Sequence, residues 1–239
     1  MVDSNFVLSA AELTEASDIK DLHERVARSV RRLGCDHFLL GLEVRLAAGP
    51  SLQHVDSGYP DMWQRRYIEK GYIRVDPTIG YCQTHKEPIV WSPTLYSERT
   101  FALMEESRAH GLGHGLSVPV HQGNDIKSMF SMARDQAFTD SREEQLVMAG
   151  GQLLANMAHV AMQRFVVPQL LEQVRPELSA RELQCLQLCA EGKSNGVIGD
   201  VLHLSERNVE YHLSKVLKKL GVVTRVQAVA MGIQLRLIP

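Results

Sequence analysis

Residues 205–220 read SERNVEYHLSKVLKKL, and the spacing of apolar residues in that stretch decides the kind of domain it belongs to. Val209, Leu213, Val216, Leu217 and Leu220 fall on one helical face, which is the core side. The opposite face carries Arg207, Tyr211, Ser214 and Lys218 at i, i+4, i+7 and i+11, with Lys215 beside them and Glu210 on the flank. Ser205 stands where an N-cap belongs, and Gly221 where a helix stops. A stripe of cations, a phenol and hydroxyls suits a groove of phosphates and base edges. It also suits the solvated face of an ordinary helical bundle.

Working outward, the neighbouring segments are helical too. Ser179-Ala-Arg-Glu182 has capping-box spacing and opens a helix to about Ala190, with Gly192 as its stop. Ser194 caps a short helix to Leu202, and the tight turn His203-Leu204-Ser205 follows. Thr224-Arg-Val-Gln227 is a final capping box for a helix to about Leu235. A short helix, a tight turn and a longer helix with a polar outer face have helix-turn-helix spacing. Prolines bound a short linker, 168–176, which separates residues 1–167 from a four-helix domain, 177–239.

The N-terminal part has another rhythm. Ile19, Leu22, Val26, Val30 and Leu33 keep helical spacing up to Gly34. Phe38, Leu40, Leu42, Val44 and Leu46 then alternate as in a strand. A helix around Met62–Lys70, loops carrying Asp76-Pro77 and Trp91, and a helix over Phe101–His110 follow. Strands over Gly115–His121 and Ile126–Arg134, joined at Gly123-Asn124, read as a hairpin. Asp140-Ser-Arg-Glu143 opens a long helix to about Phe165. The fold class is α+β: an N-terminal α-β-α sandwich on a mainly antiparallel sheet, then a four-helix domain.

The bulk numbers narrow the function. The chain has 239 residues, 44% hydrophobic and 23% charged, with net charge −2. From Arg175 onward nine Lys and Arg face six Asp and Glu, whereas the rest carries seventeen against twenty-two. An acidic body therefore joins a mildly basic tail. No apolar run reaches the roughly 18–20 residues of a membrane span. Met1–Ala10 lacks the pattern of a secretory signal, so the cytoplasm is the expected location, with no membrane partner. Cys35, Cys82, Cys185 and Cys189 form neither a CxxC nor a secreted framework, and read as buried thiols rather than metal ligands. His110, His114 and His121 with Cys82, Asp76 and Ser131 could be drawn as an acyl-transfer site. No nucleophile elbow or HExxH accompanies them, so no enzyme is expected.

The C-terminal segments Leu178-Ser-Ala-Arg-Glu-Leu-Gln-Cys-Leu, Glu191-Gly-Lys-Ser, Leu204-Ser-Glu-Arg-Asn-Val-Glu-Tyr-His-Leu and Lys219-Leu-Gly-Val resemble the LuxR-type helix-turn-helix. Glu182, Leu186 and Gly192 match positions typical of it. Independently, Tyr59-Pro-x-x-Trp63-x-x-x-Tyr67, Asp76-Pro-Thr78, Trp91 and Gly115 are similar to the autoinducer-binding domain of quorum-sensing LuxR-type regulators. The resemblance spans roughly residues 10–237. It implies a cytoplasmic transcription regulator with no cofactor and no metal, whose ligand is an N-acyl-homoserine lactone; the alternative is an orphan regulator of the same type that senses foreign lactones or another small molecule. Its further partners would be double-stranded DNA with a palindromic site, a second copy of itself, and RNA polymerase in an activating role.

Such a ligand offers a lactone carbonyl, an amide N–H, an amide carbonyl and an apolar tail, and a buried site must satisfy each polar group. By the resemblance, Trp63 donates to the lactone carbonyl and Asp76 accepts from the amide N–H. Tyr59 and Ser131 donate to the amide carbonyl, and Thr78 supports Asp76. Trp91 packs on the ring, and Tyr67 lies along the tail with Leu39, Gly41, Leu112 and Met129. The DNA contacts it implies are Lys193, Ser205, Arg207, Glu210, Tyr211, Ser214, Lys215 and Lys218.

Taken singly, the three aromatics also suit a core, and Asp76-Pro77 also suits a turn. Three residues depart from the family pattern. Lys127 shares a strand face with Met129 and Ser131, and must either snorkel to the pocket rim or mark a different tail pocket. Gln64 follows Trp63 where some 3-oxo-acyl-responsive relatives carry Arg. Glu210 would accept from a cytosine amino group but is repelled by phosphate. The long helix 140–165, and the stripe Val226, Val229, Ala230 and Ile233, are the expected dimer elements.

Overall fold

Alternate residues of the first strand have opposite fates. Phe38, Leu40, Leu42 and Val44 are at most 5% exposed, while His37, Leu39, Gly41 and Glu43 are only half-buried. The strand thus has one sealed face and one that the protein's own side chains leave partly open, and the rest of the domain is arranged around that difference. The computed structural model describes residues 2–123 and 125–239; Asn124, half of the expected Gly123-Asn124 turn, lies outside the described residues.

Two compact units result, one of residues up to Val44 together with Gln53–Pro168, the other of Arg45–Leu52 with Gln169–Pro239. The first contains α1 (Ser4–Ala11), α2 (Ile19–Arg32), β1 (His37–Val44), β2 (Leu52–Ser57), α3 (Asp61–Glu69), α4 (Pro77–Thr84), β3 (Ile89–Val90), α5 (Phe101–Ala109), β4 (His114–Gln122), β5 (Ile126–Arg134) and most of α6 (Ser141–Val174). The five strands form one sheet in the order β2-β1-β5-β4-β3, and β5 runs antiparallel to both β1 and β4. The sealed face lies under α2 and α6: the His23 ring sits 4.8 Å from that of Phe38, and a Cβ on Gly151 would come within 2.8 Å of Met132 and 3.3 Å of Leu116. The other face lies under α4, which packs on β4 and β5.

Buried Arg134, at the end of β5, holds α6 in place. Its guanidinium donates to Glu143 at 2.8 and 3.0 Å and to the Ala137 carbonyl, and it stacks over Phe138. Asp140 caps α6 as the sequence suggests, accepting from Glu143 N at 2.8 Å. The Glu143 carboxylate turns to Arg134 and Thr139.

Two features differ from the sequence expectation. The long helix does not end near Phe165 but passes through Pro168 to Val174, covering most of the expected linker. Its apolar side continues through Val166, Val167, Leu170 and Leu171, all buried, and that burial offsets the missing N–H of Pro168. The loop at Asp76-Pro77 is in fact the start of α4, with Asp76 as N-cap and Pro77 in the first turn.

The second unit holds α7 (Ala180–Ala190), α8 (Asn195–Leu202), α9 (Glu206–Leu220) and α10 (Arg225–Gln234). Both halves of the capping boxes at Ser179/Glu182 and Thr224/Gln227 are made. Cys185, Ile198, Val209 and Leu213 form its core. His203 takes the left-handed conformation (φ 55°) that turns α8 into α9. Buried Glu182 receives Lys219 Nζ at 2.7 Å, joining α7 to α9.

Candidate functional site

Strand pairing sets the residues of the partly open face in rows. Leu39, Ser131 and Ser117 lie abreast on β1, β5 and β4; Gly41, Met129 and Pro119 form the next row, and Glu43, Lys127 and His121 the one after. Leu39, Gly41 and Met129 remain half-buried there.

The polar groups over the first row form two linked sets. Asp76 Oδ1 accepts from the Thr78 backbone N–H at 2.9 Å and its hydroxyl at 2.6 Å, while Oδ2 accepts from the Tyr67 phenol at 2.9 Å. The second set is a chain: Trp91 Nε1 donates to Ser117 Oγ at 2.9 Å, and Ser117 and Ser131 share a 2.8 Å hydroxyl bond, with the Tyr59 phenol beside Ser131. Burial, and then the charge of Asp76, raise the phenols of Tyr59, Tyr67 and Tyr96 above their ordinary value, so all three stay protonated donors.

Trp63, 3% exposed, is the centre of an aromatic cluster. Tyr67 meets it edge-on at 5.7 Å, Tyr72 stacks at 6.0 Å and His110 lies at 5.4 Å. Leu112 belongs to the same cluster, with Tyr59, Trp91 and Tyr96 packed against it. Outside it, Arg66 spans from α3 to α5 and binds Glu106 through two 2.7 Å bonds.

The residues expected at the ligand site lie on this sheet face, in this cluster or, for Asp76 and Thr78, at the start of α4, and two of them also bond their neighbours. Tyr67 uses its phenol on Asp76, and Trp91 uses its indole N–H on Ser117. The sequence reading missed Ser117, Tyr72 and Tyr96. Ser117 was discoverable, since hairpin alternation sets it opposite Ser131. Lys127 does reach the edge of the face, where its Nζ donates to the Gln83 carbonyl at 2.6 Å.

No acyl-transfer constellation forms among the described residues. Burial, then Asp76, pushes the Cys82 thiol up to about 12. The Ser131 hydroxyl bonds Ser117 rather than an imidazole, while His110 and His121 bond backbone carbonyls.

In the second unit Arg207, Glu210, Tyr211, Ser214, Lys215 and Lys218 all lie exposed on α9. Lys215 Nζ sits 4.4 Å over the Tyr211 ring, and Ser214 Oγ donates to the Tyr211 carbonyl. Ser205 is also exposed, but its hydroxyl caps α9 by accepting from Asn208 N at 3.2 Å. Lys193 is exposed in the turn after α7. On α10, Val226 is 79% and Ile233 50% exposed.

Known proteins match both units. The family model "Autoinducer binding domain" matches residues 18–162, and "Bacterial regulatory proteins, luxR family" matches 176–232. Transcriptional activator protein SolR of Ralstonia nicotianae is 30% identical over 223 residues, covering 93% of this chain and 94% of SolR. HTH-type quorum-sensing regulator RhlR of Pseudomonas aeruginosa is 29% identical, covering 95% and 94%. The crystal structure of Escherichia coli SdiA has the same fold, with TM-score 0.72, 23% identity and 98% of each chain covered.

Proposed function

The chain belongs to the LuxR family of autoinducer-binding transcription activators, and on that premise we propose that its ligand is an N-acyl-homoserine lactone and its target a palindromic operator bound as a dimer. The family is one of transcription regulators, not enzymes. The observation that carries the ligand assignment is the pairing of one acceptor, Asp76 Oδ2, with buried donors at Tyr59, Trp63 and Ser131 over half-buried apolar residues. An acylated amide on a lactone offers one N–H, two carbonyls and a tail, in the proportion this set satisfies.

In this reading Asp76 accepts the amide N–H. Ser131 and Tyr59 donate to the amide carbonyl, Trp63 donates to the lactone carbonyl, and Trp91 covers the ring. Leu39, Gly41, Leu112 and Met129 line the tail. Gln64 is tied to the Tyr59 carbonyl at 2.7 Å, which supports a site with no strict 3-oxo requirement. Arg207, Glu210, Tyr211, Ser214, Lys215 and Lys218 face the major groove, with Lys193 and Ser205 beside the phosphates. The exposed residues of α10, Val226 and Ile233, pair two copies, and two-fold symmetry calls for a palindromic site. RNA polymerase is the partner through which the bound dimer activates transcription in the cytoplasm.

The test is thermal unfolding with and without acyl-homoserine lactones, alongside operator binding. A ligand that binds only the folded state adds about 2.7 kcal/mol at a hundred times its Kd. If no lactone raises the melting temperature or strengthens operator binding, the assignment fails.

A further inference from the structure

Helix α4 lies over the site face with its two ends held by different chemistry. Its N-cap, Asp76, belongs to the polar set around Ser131. Its last carbonyls are held from the sheet: His121 Nε2 lies 2.7 Å from Cys82 O, and Lys127 Nζ donates to Gln83 O at 2.6 Å. Cations and imidazoles favour helix C-termini, where carbonyls lack partners and the dipole is negative. Both residues rise from the third row of the sheet, Glu43–Lys127–His121, and tie the end of the helix to the sheet there. Between the two ends the lining is apolar or small: Thr78 and Cys82 on the buried side of α4, Gly41 and Met129 on the sheet.

From this geometry we infer that Lys127 and His121 form the end wall of the tail channel and limit the ligand's acyl chain to about eight carbons. The inference rests on the lactone reading, which sets the amide carbonyl at Ser131. Four residues of strand separate Ser131 from Lys127, about 13 Å. An interatomic contact of about 4 Å must be subtracted at the wall, leaving about 9 Å. An extended chain advances about 1.25 Å per bond, so about seven bonds fit. A longer tail must fold back or displace Lys127 from the Gln83 carbonyl. Either course brings methylenes against a row of charged and hydrogen-bonded groups that no hydrocarbon can satisfy.

The experiment is a binding series on the full chain with unsubstituted acyl-homoserine lactones of 4, 6, 8, 10, 12 and 14 carbons. Affinity should rise about threefold to fourfold per methylene while the tail is buried. It should stop rising near eight carbons, with the 12-carbon ligand at least tenfold weaker than the 8-carbon one. Lys127→Ala should raise 12-carbon affinity at least tenfold and leave the 4- and 6-carbon ligands within about twofold, whereas Lys127→Arg, which keeps a charged donor, should hold the limit. Gly41→Ala is the second probe, because its Cβ would meet only ordinary contacts at 3.8–3.9 Å and so should not disturb folding. It should weaken the 8-carbon ligand at least fivefold more than the 4-carbon one. A wild type that binds 12 carbons as tightly as 8, or a profile unchanged by both Lys127→Ala and Gly41→Ala, overturns the wall while leaving the lactone reading intact. Binding of no member of the series overturns both.

Discussion

The Tyr67 phenol donates to Asp76 Oδ2 at 2.9 Å, while Oδ1 of the same carboxylate is occupied by the backbone and hydroxyl of Thr78. One oxygen is thus committed to starting α4, and the other keeps one lone pair for a ligand. Tyr67 orients that second oxygen. Tyr67→Phe should lower stability by about 1 kcal/mol, since a buried acceptor loses its partner. It should also weaken lactone binding by about tenfold, the worth of one hydrogen bond to a charged group. Calorimetric titration of the variant with the best ligand checks both the direction and the size. Unchanged affinity would place the amide N–H elsewhere.

Ser117 is the middle of the chain from Trp91 to Ser131 and is wholly buried. Ser117→Ala removes an acceptor from the indole N–H and a partner from Ser131 in one step, so a loss of about 1–3 kcal/mol is expected. Adding Trp91→Phe should then cost less than Trp91→Phe does alone, because the indole N–H is already without a partner. A double-mutant cycle in denaturant measures that coupling. Strict additivity would mean that the hydrogen bond contributes nothing.

Lys218 and Lys219 are chain neighbours with different duties. Lys219 reaches buried Glu182 at 2.7 Å and the Glu177 carbonyl at 2.8 Å, whereas Lys218 lies on the exposed polar stripe of α9. Lys219→Ala should destabilise the second unit by about 1–2 kcal/mol, discounted because the lysine is partly exposed. Lys218→Ala should leave stability unchanged, weaken operator binding, and reduce the salt slope of binding by about one. The measurement is anisotropy against ionic strength. A salt slope left unchanged would take Lys218 off the phosphates.

What the sequence made legible follows from how strongly each element repeats its signal. In α9, fifteen residues with five apolar positions on one face, a serine cap and a terminal glycine all agree, so its bounds and its polar stripe could be read directly. β1 was equally plain, because one sealed face imposes strict alternation, whereas β5, buried on both faces beyond Phe130, was read from its hairpin with β4. Helix α4 has eight residues, too few for periodicity to separate it from a turn, and its only signal was Asp76 before Pro77. Edge strand β2 does alternate, but polar His54 and Asp56 take half-buried places and apolar Val55 an exposed one, so no hydrophobic alternation shows in the sequence. Ser117 and Lys127 carry chemistry through partners distant in sequence, at Trp91 and Gln83, and those pairings exist only once the sheet has formed.

Acid should loosen the joint between β5 and α6. Bonding to Arg134, and then to the Thr139 N–H, holds the Glu143 carboxyl down at about 2, against about 4.3 for an unperturbed glutamate. Because the folded value is the lower one, the stabilisation is full above about pH 4.3 and drains away as pH falls toward 2. Glu143→Gln should therefore flatten that part of the stability profile. Urea midpoints of both proteins between pH 5 and 2.5 give the comparison. Parallel profiles would mean that the Arg134–Glu143 pair also persists in the unfolded chain.

Two glycines in α8 should respond oppositely to the same substitution. A Cβ on Gly199 would lie 2.6 Å from the Leu204 carbonyl oxygen, a backbone atom of the turn into α9, so the turn itself must open. A Cβ on Gly196 would meet only the Ser194 hydroxyl at 3.9 Å. In an unhindered helix, alanine is preferred to glycine by about 1 kcal/mol. Gly196→Ala should thus be neutral or stabilising by up to that amount, with operator binding kept unless that side of α8 approaches the DNA. Gly199→Ala should destabilise the second unit by about 1–3 kcal/mol, as overpacking against a fixed backbone does. It should also weaken operator binding at least tenfold, because the angle between α8 and α9 sets how α9 enters the groove. Lactone-induced stabilisation of the first unit should survive in both variants. If Gly199→Ala bound the operator normally, the close contact at Leu204 would not be what fixes the helix-turn-helix geometry, and the left-handed turn at His203 would have to carry that role alone.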